Sequence, residues 1–333
     1  MNVSAYSAPV VPNPQVPMTF GQILDRTFRL MRANLRLFLG MAAVPSGAIF
    51  AVFLPAMALM LIAVSPQLRG QTGPPEVFPA ILAGVCFAIG YPVMLAVFAL
   101  YLAAASYAAT RTDLGSPVTF REAYGVGWRR FGRHLWLMIL GALYAIVPVL
   151  ASVLVIALGA ILLYAAAGES FGSYAALMLI PLGVLLYIAA AVYSIVIALR
   201  FSLAYPVCVA EGLPAWASLK RSGQLTKGAK GRIFLLLLVV YALTYVASLV
   251  CIAIFFVVAA LGAFAAMLAQ VTQDSPAFFI LIGLAVLGYL LIIMISCLLS
   301  YAAFTTALGV IYHDQRLRKD GPAGAPLAAG ESA

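Results

Sequence analysis

Six long apolar runs dominate this chain, at about residues 36–64, 79–110, 134–167, 174–209, 232–269 and 277–312. About 20 apolar residues in helical conformation cross a bilayer. Each run exceeds that, so six tilted, broken or overlong spans are expected. The composition agrees, with 65% hydrophobic and only 9% charged residues and a mean hydropathy of +1.09. A soluble domain carries charge on roughly a quarter of its residues. The expected class is all-α: a polytopic helical membrane protein with six transmembrane helices arranged as three hairpins. Prolines at 45, 55, 92, 148, 181 and 206 should kink the helices or mark their edges.

The stretch before the first run, Met18 to Gly40, has a second pattern. Phe20, Ile23, Leu24, Phe28, Met31, Leu35 and Phe38 recur at steps of three or four. Gln22, Asp25, Arg26, Arg29, Arg32 and Arg36 recur out of phase with them. This is a basic amphipathic helix, suited to lie in the membrane surface before the chain turns inward. The device recurs before the third and fifth runs. At an offset of 100, Thr19-Phe20 meets Thr119-Phe120, Gln22 meets Glu122, Phe28 meets Trp128, Arg29 meets Arg129, Leu35 meets Leu135 and Leu37 meets Leu137. A third, looser copy starts near Pro214-Ala215-Trp216. The expected unit is interfacial helix, span, short outer loop, span.

The connections alternate in charge. The loops at 65–78, 168–173 and 270–276 hold one basic residue, Arg69, against Glu76, Glu169 and Asp274. The other side collects Arg26, Arg29, Arg32, Arg36, Arg111, Arg121, Arg129, Arg130, Arg133, Lys220, Arg221, Lys227, Lys230, Arg232, Arg316, Arg318 and Lys319. By the positive-inside rule that side is cytoplasmic, with both termini there, in the cell inner membrane. The net charge of +9 then reads as basic loops against anionic headgroups rather than nucleic-acid binding. Arg26, Arg29, Arg32, Arg36, Arg129, Arg130, Arg133, Lys220, Arg221 and Lys227 are the candidate headgroup contacts. Residues 1–17, rich in proline and without a basic or apolar core, read as a disordered tail rather than a signal peptide, and 321–333 as another. The membrane domain is 18–320.

Chemistry-bearing patterns are sparse. No acidic residue lies deep in a run, no pair of acids shares a helix face for acid–base work, and no Gly-rich phosphate loop or GxSxG occurs. Cys86, Cys208, Cys251 and Cys297 sit singly in apolar runs, with no CxxC pair. His134 and His313 are far apart, so no metal, cofactor or catalytic activity is expected. Arg200 is the one charge inside an apolar run. It either snorkels to the surface or marks a lipid-phosphate or polar-network site, with Glu211, Ser222 and Thr226 as neighbours. Small residues, Ala103-Ala104-Ala105 with Ala108-Ala109 and Gly84 with Ala88, suggest close helix approaches.

The stretch Arg200–Pro206, Glu211-Gly212, Ser218–Ser222, Leu225–Gly228 and Arg232–Phe234 resembles the bacterial multi-span family named after the membrane domain of glycerophosphoryl diester phosphodiesterases. The opening Phe20–Asp25 with Phe28-Arg29-Leu30 is similar to that family's start. The closing Tyr312–Gly321 is similar to its end, although the family pattern more often has Leu at Gln315 and Glu at Asp320. The resemblance covers residues 18–321. It implies a six-helix module without the separate hydrolase domain, whose His-Arg-Gly motif is absent here. The expected function is a non-enzymatic membrane module that organises anionic lipids, or a protein partner, at the cytoplasmic face. The alternative is a transporter or lipid translocase not driven by intramembrane acids, a reading that internal repeats favour.

Overall fold

A computed structural model describes residues 16–68, 74, 76–268 and 276–321. Apart from residues 16, 17 and 321, the two tails lie outside the described residues, as do 69–73, 75 and the connection 269–275. Among the described residues there is no strand. The elements are α1 (Phe20–Ala33), α2 (Leu35–Leu68), α3 (Val77–Asp113), α4 (Phe120–Arg129), α5 (Phe131–Phe201), α6 (Ala204–Ala210), α7 (Ala215–Leu225), α8 (Lys230–Leu268) and α9 (Pro276–Asp320). Six helical stretches are long and apolar enough to cross a membrane: Leu35–Val64, Val77–Asp113, Phe131–Leu162, Pro181–Ala210, Lys230–Leu268 and Gly283–Asp320.

α2 and α3 form the first hairpin, with Phe53 against Phe87 at 5.6 Å and Glu76 N–H donating to the Ala63 carbonyl at 2.9 Å. α8 and α9 form another, meeting where a Cβ on Gly288 would stand 2.9 Å from the Phe255 ring. α5 spans Phe131–Phe201 with helical backbone on both sides of, and into, the segment 168–173 where a short loop is expected. Alanines 165–167 and 175–176 flank that segment, and no proline lies between Pro148 and Pro181 to interrupt it. The chain nevertheless reverses there. The Ser194 hydroxyl donates to the Ala145 carbonyl at 2.6 Å, whereas 49 residues of straight helix would separate them by about 70 Å. A Cβ on Gly183 would lie 3.3 Å from Ile156, and the Tyr205 hydroxyl reaches the His134 carbonyl at 3.0 Å. All three pairs are centred between residues 169 and 170, so α5 is itself the second hairpin.

The fourth run reaches its expected end, with the stretch Pro181–Ala210, but its helix is interrupted on the way. α5 ends at Phe201 and α6 restarts at Ala204. Pro206 has no N–H for the Ser202 carbonyl and its ring crowds that turn, so the helix breaks at Ser202-Leu203.

The repeat has a local physical basis. Thr19 caps α1 and Thr119 caps α4, each in a capping box with the side chain three residues on, Gln22 and Glu122. Each short helix then breaks at a residue of nearly the same conformation, Asn34 (φ −122°, ψ 35°) and Arg130 (φ −126°, ψ 35°). α4 is one turn shorter than α1, so beyond the break the structural offset is 96, not 100. Leu35 and Leu37 therefore do not correspond to Leu135 and Leu137. Phe38 corresponds instead to His134 and Met41 to Leu137, all four buried. The third short helix, α7, begins at Pro214 without a side-chain cap, which accounts for the looser match.

The core lies at the end of the bundle that carries α1, α4, α6 and α7. It joins Ile23, Leu30, Phe38, Tyr101, Leu203, Leu225, Ile233 and Ile311. Alanines 103–105, 108 and 109 are buried; a Cβ on Gly127 of α4 would stand 3.6 Å from that of Ala103, and a Cβ on Gly309 of α9 only 2.6 Å from that of Ala109. Gly84 and Ala88 make no such approach; both are exposed. Gly90 takes that role, where an added Cβ would strike Val52 at 2.2 Å. Away from this end the helices expose large apolar side chains such as Leu154, Ile161, Leu185 and Val257, the surface expected of helices solvated by lipid.

Candidate functional site

The last three turns of α9 knit the basic end together, reaching α3, α7, α8, the end of α6 and the residues before α1. The Tyr312 hydroxyl donates to Glu211 Oε1 at 3.0 Å. His313 Nδ1 lies 2.6 Å from Asp113 Oδ2, at the end of α3. Asp314 accepts the Met18 N–H at 2.8 Å and faces Arg318 at 2.8 Å and Arg232 at 3.4 Å. Arg232 and Arg318 both donate to the Met18 carbonyl at 2.6 Å. Asp320 pairs with Arg221 of α7, and the amide of buried Gln315 donates to Asp314 at 3.2 Å.

At the centre of this end, Asp113 is buried between two basic groups. Arg26 Nε lies 2.5 Å from its Oδ1, and Arg26 also donates to the Asp113 backbone carbonyl at 2.8 Å. A charge so far from water persists only when paired and hydrogen bonded. Sequence reasoning placed Arg26 on the exposed stripe. The structure buries it, because it falls three residues after Ile23 and four before Leu30 on the inward face of α1. His313 Nε2 and His134 Nε2 are buried without a hydrogen-bond partner among the described residues. Sequence reasoning did not select Asp113, His313 or Asp314. The available signal was a carboxylate or imidazole within one turn of the end of an apolar run.

Two more of the candidate headgroup cations are turned inward. Arg133 donates to the Gly212 carbonyl at 2.7 Å and to that of Cys208 at 3.4 Å, a cation at the carboxyl end of α6; Gly212 closes that turn with φ +68°. Arg221 bridges Glu211 and Asp320. Partial burial opposes its charge, but hydrogen bonds and attraction from Asp320 and Glu211 outweigh that and raise its pKa. Arg29 is exposed and paired with Asp25. Arg32, Arg36, Arg129, Arg130, Lys220 and Lys227 are exposed.

Arg200, Glu211, Ser222 and Thr226 do not form one charge site. Ser222 and Thr226 donate their hydroxyls to the Arg200 backbone carbonyl, at 2.8 and 3.3 Å, not to anything bound by its guanidinium. That satisfies a carbonyl at the end of α5 and clamps α7 against it. Glu211 is taken by Arg221 and Tyr312. The Arg200 side chain is exposed in a groove of about 150 Å³ shared with Tyr144, Tyr193, Trp216 and Lys220. Its guanidinium carbon stands 5.8 Å from the centre of the Phe201 ring. A second groove, of about 330 Å³, lies on the other side of the same helix. It is apolar apart from Ser106, Ser202 and Tyr205, and it separates the second hairpin from Leu237 and Phe304.

Among the described residues no group of three or more His, Cys, Asp or Glu side chains is placed to hold a metal ion. Compared with known proteins, the chain matches no family model, no curated protein and no solved structure.

Proposed function

We propose that this chain is a non-enzymatic module of the cell inner membrane, with both termini cytoplasmic, which gathers anionic lipid headgroups around its basic end. One observation carries the reading: the cations there divide into two sets. Arg26, Arg133, Arg221, Arg232 and Arg318 are spent on internal carboxylates and carbonyls. Arg32, Arg36, Arg129, Arg130, Lys220 and Lys227 point outward from the short helices and the turns beside them. The first set holds the end rigid; the second faces the place where headgroups would lie. Trp128 and Trp216, exposed among them, suit the same boundary.

The nearest approach to a catalytic constellation is Arg26, Asp113 and His313. Both Asp113 oxygens are engaged, the cluster is buried, and neither groove described above is lined by it. A structural role fits it better than substrate chemistry. The resemblance of residues 18–321 to the glycerophosphoryl diester phosphodiesterase membrane-domain family belongs to this reading as one of architecture and lipid context.

The test is reconstitution into nanodiscs of equal phosphatidylglycerol and phosphatidylcholine, followed by extraction and native mass spectrometry of retained lipid. Phosphatidylglycerol should be enriched, and the enrichment should fall in a variant with Arg32, Arg36, Arg129 and Arg130 changed to Gln. Equal retention of both lipids refutes the reading. The 330 Å³ apolar groove favours a second reading, a lipid translocase, which fluorescent-lipid scrambling in proteoliposomes would reveal.

A further inference from the structure

We infer that the groove between α5 and α7 is a discrete binding site for one anionic glycerophospholipid, whose phosphate is held by Arg200 and Lys220. The inference rests on the lipid-gathering reading above and names a single site within it.

Four observations converge. First, Arg200 and Lys220 line one groove, and neither side-chain cation has an ion pair or hydrogen bond among the described residues. Two uncompensated positive charges facing one space call for an anion. Second, Arg200 lies within a stretch apolar enough to cross a membrane, Pro181–Ala210. A cation kept there without a carboxylate partner is neutralised most readily by a headgroup phosphate at the edge of the hydrocarbon.

Third, the rest of the lining is aromatic. Tyr144, Tyr193 and Trp216 are 39%, 47% and 56% exposed, and Tyr144 packs against Phe201 at 5.6 Å and Trp216 at 6.5 Å. Amphipathic rings beside a cation suit the glycerol and upper acyl region of a lipid, where one edge is wet and the other apolar. A free phosphate would have no use for them.

Fourth, Arg200 is prearranged. Its carbonyl is clamped by Ser222 and Thr226. Its side chain lies over Gly223, where an added Cβ would stand 3.0 Å from Nε and 3.5 Å from Cγ. Gly223 thus leaves the space through which Arg200 reaches the groove, and a charge already held in place loses less freedom on binding.

The experiment titrates the purified full chain, in non-ionic detergent, with dioleoyl phosphatidylglycerol or dioleoyl phosphatidylcholine and counts bound lipids by native mass spectrometry. The wild type should bind one phosphatidylglycerol more tightly than the rest. Arg200→Gln with Lys220→Gln should weaken that first event about tenfold or more, the loss of charge-assisted hydrogen bonds. Gly223→Val, which keeps both charges but displaces Arg200, should weaken it as well. Arg121→Gln, which removes an exposed cation in neither of the two sets above, should leave it intact. Melting curves of each variant verify folding. If the wild type does not distinguish the two lipids, the lipid-gathering reading itself fails. If it does, but the preference survives in Arg200→Gln/Lys220→Gln, only the site proposed here fails. Release of the bound lipid by inorganic phosphate at equal concentration also overturns it, since the aromatic lining would then contribute nothing.

Discussion

His313 Nδ1 lies 2.6 Å from a carboxylate oxygen of Asp113, although 200 residues separate them in the chain. Asp113 also neutralises Arg26 of α1, so one carboxylate ties the first helix, the end of α3 and the end of α9 together. Asp113→Asn removes the charge facing two basic groups and should cost about 3 kcal/mol of stability. His313→Phe leaves the Arg26 pair intact and should cost about 1 to 2 kcal/mol, one charged hydrogen bond. Thermal unfolding in detergent measures both; equal losses would show that Arg26 does not depend on Asp113.

Tyr124 donates its hydroxyl to the Met41 carbonyl at 2.9 Å. That carbonyl needs a donor because Pro45, four residues on, has no N–H to give it. Burial raises the tyrosine pKa, which keeps the hydroxyl protonated and able to donate. Tyr124→Phe should therefore destabilise by about 1 kcal/mol. In a Pro45→Ala background the helix supplies its own donor, and the same substitution should cost much less. A double-mutant cycle with no coupling would refute the account.

The crossing of α3 and α9 depends on Gly309. A Cβ there would stand 2.6 Å from Ala109 Cβ and 3.1 Å from the Ala109 carbonyl carbon, so Gly309→Ala should cost about 1 to 3 kcal/mol through overpacking. Ala109→Gly should recover part of it. Unchanged melting of Gly309→Ala would mean that the two helices separate freely.

The reversal within α5 can be tested by crosslinking. With the four native cysteines replaced, Ile156→Cys and Gly183→Cys should join efficiently through a short bifunctional reagent, since Ile156 lies 3.3 Å from where a Gly183 Cβ would be. In an unbroken helix the same positions would be about 40 Å apart and would not react together.

The proposed orientation predicts that reporters fused at either terminus are cytoplasmic. A periplasmic carboxyl terminus would overturn both the six-span topology and the assignment of the basic end.

The sequence by itself determined the elements whose causes are local. Spans follow from hydropathy summed along about 20 residues, so the runs at 36–64 and 79–110 match the helical stretches Leu35–Val64 and Val77–Asp113. The helix starts at Phe20 and Phe120 follow from Thr19 with Gln22 and Thr119 with Glu122, three residues apart. The pairing of charges was decided only by the tertiary structure. Arg26 and Arg29 have the same chemistry and adjoining turns, yet Arg26 is buried and Arg29 exposed, because Asp113 arrives from 87 residues away. Likewise, residue types at 200, 211, 222 and 226 suggested one polar cluster. Packing instead gave the Arg200 carbonyl to two hydroxyls and Glu211 to Arg221 and Tyr312, and left the guanidinium facing Lys220. Hydropathy is additive along the chain and can be read in one dimension. Desolvation of a charge depends on which partner stands within about 4 Å, and only the folded arrangement of the helices specifies that partner.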